Sequence, residues 1–229
     1  MKTVKYSLVF LIGLFTTLAF NSCTNDDGYS LDKYMVEIAT VTPIDSVAGT
    51  YYLTLDNGET LWPVSSTSYF VPKNNQRVIV DFTLLSDKIG EYDHYARINQ
   101  IQNILTKNVV DLTPENEEEI GNDPIKVLSL WTGDNFLNIR YGYNTGGEKT
   151  HFINLVKNKL DETSVSKDGT ITLEFRHNKN GDPEKYGVNN YVAFDLKPFK
   201  TENKDSLKFI IKVLDFGGET KEYPITYKY

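Results

Sequence analysis

Cysteine is nearly missing from this chain, with one among 229 residues. A disulfide-stapled scaffold is thereby excluded, since staples need pairs. Histidine is scarce as well: His94, His151 and His177 are the only three, and no HExxH or paired-cysteine spacing accompanies them. Metal centres usually draw three or four ligands from such residues, so no metal site and no cofactor is expected. Lys and Arg number 24 against 31 Asp and Glu, for a formal net charge of −7. Phosphate backbones require clustered cations, which argues against nucleic acid as a partner. No apolar run reaches the ~20 residues of a membrane-spanning helix. The GxSxG elbow of serine hydrolases is absent, and Gly146-Gly147 and Gly217-Gly218 fall between strand-like segments, where hairpin turns explain them better than a phosphate loop.

Aromatic residues are what the chain has in quantity, with 15 Tyr and 12 Phe. Together with the β-branched residues they suffice to bury a core, so most of the chain is not disordered. Alternation of period two dominates after residue 33. In Arg77–Leu85, Val78, Val80, Phe82 and Leu84 share one face; in Thr170–Phe175, Ile171, Leu173 and Phe175 do. Tyr223, Ile225, Tyr227 and Tyr229 repeat the pattern at the end, and Pro224 among them marks an edge strand. Such alternation is the signature of half-buried strands. Asp56-Asn57-Gly58 and Gly217-Gly218 separate strand-like runs and predict two-residue hairpins.

Five strands are predicted near 34–41, 50–55, 59–65, 77–86 and 93–104, although Ile98, Ile101 and Leu105 in the fifth also fit helical spacing. Five strands with a hairpin between the second and third suit a small closed barrel of the OB type. The stretch Thr113-Pro114 through Glu117–Glu119 to Gly121 predicts a short exposed helix within a linker, with a loop inside one domain as the alternative. Beyond it, seven strands near 125–131, 136–143, 149–156, 170–176, 188–196, 207–215 and 221–229 suit an immunoglobulin-like sandwich. The predicted organisation is all-β: an OB-like barrel over 34–112, a linker with a short helix over 113–123 and a β-sandwich over 124–229.

The N-terminus reads as an export signal over residues 1–22. Lys2 and Lys5 precede a 13-residue uncharged run, Leu8 to Phe20, too short to span a membrane. Ser22-Cys23 at its end resembles a bacterial lipoprotein signal, which implies cleavage before Cys23 and a lipid on its sulfur. Removing residues 1–22 leaves 22 basic and 31 acidic residues, a mature charge of −9. Residues 23–33 then form a tether. Asp26-Asp27 within it is similar to the surface-export signal of Bacteroides lipoproteins, or is simply a solvated stretch. Outer-membrane lipid is thus an expected partner, and the cell surface an expected location.

Several runs resemble a known family: Arg77-Val-Ile-Val-Asp-Phe82, Arg97-Ile-Asn99, Ile104-Leu-Thr-Lys107, Asn122-Asp-Pro-Ile-Lys-Val127, Phe136-Leu-Asn-Ile139 and His151-Phe-Ile-Asn-Leu155. They look like the NigD-like lipoproteins, and the likeness covers essentially the whole mature chain. It implies an N-terminal OB domain, a C-terminal β-sandwich and a Bacteroides-group origin, and it carries over no catalytic residue.

Chemistry is harder to find. His151 sits beside Lys149 and Asn154 and reads as structural or solvent-facing. Asn178–Glu184 is rich in oxygen but lacks the EF-hand spacing, so it reads as a polar connection. Thirty-one acids make a catalytic pair possible anywhere and single out none. Trp62, Trp131, Tyr141, Tyr143, Tyr186 and Tyr191 are candidate stacking surfaces, or core. An OB barrel presents a groove on its second and third strands, which places Tyr52 and Trp62 at a site for an uncharged ligand, unless Trp62 is packed in the barrel. The expected function is a non-catalytic outer-membrane or cell-surface lipoprotein that binds a glycan or protein partner. A hydrolase using acidic residues and a bacteriocin-associated protection protein are the alternatives.

Overall fold

A computed structural model describes residues 29, 33–45, 49–160, 166 and 168–229. Cys23, Asp26 and Asp27 lie outside the described residues. Five strands form a closed barrel in the order β1-β2-β3-β5-β4: β1 (Met35–Asp45), β2 (Thr50–Leu55), β3 (Thr60–Ser66), β4 (Gln76–Ser86) and β5 (His94–Asn103). The first strand makes the closure possible. Its 11 residues pair with β2 through one half and with β4 through the other, so Ala39 faces both Leu55 and Val78. A parallel pairing of β3 with β5 shuts the other side. The inward residues are those the alternation selects: Leu53, Leu61, Val78, Val80, Phe82 and Ile98 are all buried. Each contributes about 1.5–3 kcal/mol on burial. The fifth segment, ambiguous in sequence, is a strand.

Two sheets form the sandwich. One carries β14 (Thr220–Lys228), β13 (Ser206–Leu214), β11 (Ile171–Asn178), β10 (Phe152–Asn158) and β7 (Val110–Leu112) in that order. The other carries β6 (Leu105–Asn108), β12 (Tyr186–Asp195), β9 (Phe136–Thr145) and β8 (Lys126–Gly133). Ile139, Leu155, Phe175, Val192, Phe194, Phe209 and Ile211 fill the space between them. β14 lies at a sheet edge, where Pro224 needs no donor on its outer side.

The sandwich differs from the sequence-based expectation in three respects. Among the described residues it has nine strands rather than seven, and three pairings are parallel: β6 with β12, β7 with β10 and β11 with β13. Residues 105–112, assigned by sequence to the barrel domain, belong to the sandwich. β6 and β7 are consecutive yet join edges of opposite sheets, so this stretch clasps the sandwich as it leaves the barrel. Runs of four and three residues are too short for alternation to assign them. The predicted inter-domain linker therefore joins two sheets of one domain. Its helix, α1 (Glu117–Ile120), is acidic and exposed as expected, but Ile120 is buried with Leu112 and Val156.

The hairpin turns also differ. Gly58 N–H donates to Leu55 O and Leu55 N–H to Glu59 O, with φ positive at Gly58 alone. That is a three-residue turn ending in a glycine bulge, and Asp215–Glu219 repeats it with Gly218. The two-residue primed turn occurs instead at Asp134-Asn135, both with positive φ, between β8 and β9.

Candidate functional site

Three places on the molecule gather polar or aromatic side chains. The first is on the barrel's outer face. Leu53 and Leu61 point inward, so their neighbours Tyr52 and Trp62 face out, both half-buried. Tyr92 joins them: its ring centroid lies 5.5 Å from that of Tyr52 and 4.8 Å from that of Trp62, with Tyr95 at 6.3 Å on its other side. Asp93 pins the loop carrying Tyr92, accepting from the Thr60 amide (2.9 Å) and hydroxyl (2.8 Å). Those bonds hold its carboxyl below the ordinary range. The structure thus brings the two sequence-predicted residues into one cluster through a third that alternation could not find, because Tyr92 lies in a loop. Trp62 is not packed in the barrel core.

The second is the junction of barrel and sandwich. Arg77, the second residue of β4, lies on the barrel's outward face and is completely buried against the sandwich. Its guanidinium donates to Asp56, to Thr40 Oγ1 (2.9 Å) and to Asn138 Oδ1 (3.2 Å), and lies over the Phe136 ring. Asp56, in the β2–β3 turn, also accepts from Trp131 Nε1 (2.7 Å) and Asn138 Nδ2 (3.3 Å). Burial lowers the Arg77 pKa, and Asp56 counters it by charge and hydrogen bond. A Cβ on Gly133 would sit 2.3 Å from Asp56 Cγ, so glycine is what lets the barrel's turn reach the sandwich. Asn75 adds bonds to Asp195 and Lys197. Around this knot, Ile38, Ile79 and Tyr191 pack against buried Ile104, Phe136 and Ala193.

The third lies inside the sandwich. His151 Nδ1 is 2.8 Å from His177 Nε2, His151 Nε2 is 3.1 Å from Asp182 Oδ2, and His177 Nδ1 is 3.2 Å from Pro124 O. Tyr143 packs its ring on both imidazoles. A carbonyl and a carboxylate only accept, so His177 Nδ1 donates to Pro124 O and His151 Nε2 to Asp182. Asp182 is fully buried. Burial alone would raise its pKa, but Thr145 Oγ1 (2.7 Å), His151 and the amides of Gly146 and Glu148 reverse that and hold it far below the carboxylate range. His151 and Asp182 are therefore a loop-fastening device, and the Asn178–Glu184 segment is the connection that presents the aspartate. Sequence reasoning missed the pair because His151 and His177 lie 26 residues apart. Among the described residues no group of three or more His, Cys, Asp or Glu is arranged to hold a metal ion.

The remaining aromatic candidates divide. Tyr141 is core, Trp131 serves the junction, Tyr191 is half-buried beside it, and Tyr186 is exposed.

The NigD-like N-terminal OB domain matches residues 38–104, and the NigD-like C-terminal β-sandwich domain matches 108–227. The gap between these bounds, residues 105–107, falls within β6. No curated protein matches the chain. Among solved structures, a Parabacteroides distasonis protein described as toxin-related is 32% identical with a TM-score of 0.74, over 86% of this chain and 94% of that one. A Bacteroides vulgatus protein of unknown function is 27% identical with a TM-score of 0.73, over 86% and 91%. A NigD-like immunity protein from Bacteroides caccae, 24% identical over 88% and 99% with a TM-score of 0.67, shares the fold.

Proposed function

The chain belongs to the NigD-like family, and from that premise we propose that it is a non-catalytic lipoprotein that holds a glycan or protein partner against the barrel's aromatic face. The observation that carries this reading is the cluster of Tyr52, Trp62 and Tyr92, half-buried on an outward surface and fixed in place by the Asp93–Thr60 bonds. Tyr and Trp supply large contact area at low entropic cost and dominate binding hot spots. Support for a non-catalytic role comes from the carboxylates: Asp182 and Asp56 are each engaged by several donors that fasten the fold. Anchoring follows from Cys23 as the lipid-bearing first residue of the mature chain at the outer membrane, with Asp26-Asp27 directing it to the cell surface.

The test is calorimetry of the wild type and of Trp62→Ala and Tyr92→Ala against cell-surface glycans and purified envelope proteins. Binding by the wild type, lost in both variants without a change in unfolding midpoint, is the expected result. Unchanged affinity in folded variants overturns it. Cys23→Ala is expected to move the exported protein from the detergent to the aqueous phase on phase partitioning. Cleavage by protease added to intact cells is expected to fall when Asp26 and Asp27 become Ala. A second reading, bacteriocin-associated protection, is favoured by the 32% identical relative described as toxin-related. Survival of toxin-sensitive cells that express the chain would distinguish it.

A further inference from the structure

The junction leaves a cleft of about 470 Å³ between the two domains, within the ~300–1,000 Å³ of small-molecule sites. Buried Ile104 and Tyr141 are among its lining residues. Its barrel side carries Gln102 and Asn103 from the end of β5, and its sandwich side carries Asn189, Asn190 and Tyr191 from β12. Among the described residues no Asp, Glu, Lys, Arg or His lines it, in a chain where 24% of residues are charged. A second hollow of about 300 Å³ shares Ile79 and Tyr191 with it and adds Trp131 and the carboxylates of Glu37 and Asp56. The two lie side by side along the junction.

From this arrangement we infer that the inter-domain cleft is a binding site for a neutral saccharide. Each carboxamide offers a donor pair beside an acceptor, and each sugar hydroxyl is itself both donor and acceptor. Four carboxamides converging from two domains match vicinal hydroxyls, while Ile79, Leu105 and Tyr191 offer apolar surface to the C–H faces of a sugar ring. A charged ligand finds no counter-charge there, and an anionic one is repelled by the net charge of −7. The walls are held at fixed separation by the Arg77–Asp56 knot, so little ordering is left to oppose binding. Tyr191 is braced by Arg140, whose guanidinium lies 5.9 Å from its ring centroid. Asn189 is placed by the bare backbone at Gly142, where a Cβ would come within 2.7 Å of its Oδ1. The site is separate from the aromatic face, so either can fail alone.

The test uses the full chain in detergent micelles, with neutral malto-, manno-, cello- and xylo-oligosaccharides, polygalacturonate and an unrelated neutral peptide as probes. Side-chain amide NMR is expected to show shifts at Gln102, Asn103, Asn189 and Asn190 with at least one neutral oligosaccharide and with neither control. Loss of one hydrogen bond of 0.5–1.5 kcal/mol weakens binding up to about tenfold. Asn190→Ala and, on the opposite wall, Gln102→Ala are each expected to do so, both being exposed and foldable. Gly142→Ala, which displaces Asn189 without deleting it, is expected to weaken binding as well. Silence of these carboxamides toward every neutral oligosaccharide overturns the proposal. So does preferential binding of the peptide, or full affinity in the Asn190 and Gln102 variants.

Discussion

Two aspartates fasten this molecule at two places, and they do so with different cations. At the junction Asp56 holds Arg77, whose charge is permanent at any physiological pH. Inside the sandwich Asp182 holds His151, which lies against His177, and histidine is the side chain that gains or loses its charge near neutral pH. The junction knot joins two separately cored domains, so its loss uncouples them. The sandwich knot fastens the loop after β9 to the Asn178–Glu184 connection within one core, so its loss loosens a surface. Similar chemistry serves two ends because one cation titrates and the other does not.

Replacing Arg77 with Met should separate the two knots most sharply. It strands the junction partners of a completely buried cation and is expected to cost about 3–5 kcal/mol. Urea denaturation followed by tryptophan fluorescence checks this, since Trp131 sits in the knot and Trp62 in the barrel. The expected trace has two transitions where the wild type has one, and a single transition at the original midpoint would break the comparison. A smaller effect is expected from Gly133→Ala, about 1–3 kcal/mol, because the added methyl meets Asp56 rather than empty space. Relief of that loss in an Asp56→Gly background would confirm the close approach.

For the histidine pair, His177→Phe keeps the ring's shape and leaves His151 Nδ1 unpartnered, at a cost of about 1–3 kcal/mol. Nitrogen NMR of the wild type is expected to show N–H groups at His177 Nδ1 and His151 Nε2. A bare nitrogen at either position would refute the assignment. The pH dependence is the subtlest effect. Burial lowers the His177 pKa, and the charge of His151 adds to this, while the Pro124 carbonyl opposes it. Below about pH 6.5 the unfolded chain protonates this histidine, but folded His177 resists the proton. The unfolded state then binds more protons, so stability is full above about pH 6.5 and declines as the pH falls below it. Thermal midpoints from about pH 7 to about pH 5 should show that decline in the wild type and less of it in His177→Phe.

Legibility in the sequence followed the range of the interaction. The five barrel strands were readable because Val78, Val80 and Phe82 alternate within six residues. Tyr52 and Trp62 could be placed on one face by the same counting, and Tyr92 could not, since a loop has no period. Arg77 looked like an outward residue on a barrel strand. It does point away from the barrel core, and only the sandwich packed against it turns that outward face into an interior.

What the sequence by itself determined is the all-β class, the order of barrel and sandwich, and the inward face of each long strand. Those depend on neighbours two residues apart, and burial of alternate side chains enforces them whatever lies beyond. The tertiary structure decided where the domains divide, since β6 and β7 are too short to declare a sheet and gain one only by pairing with β12 and β10. It also decided which polar residues meet: Asn75 with Asp195 across 120 positions, His151 with His177, and the carboxamides of β5 with those of β12. Hydrogen bonds and charge pairs act over a few ångströms of space, and no local pattern in the chain records which distant residues will share them.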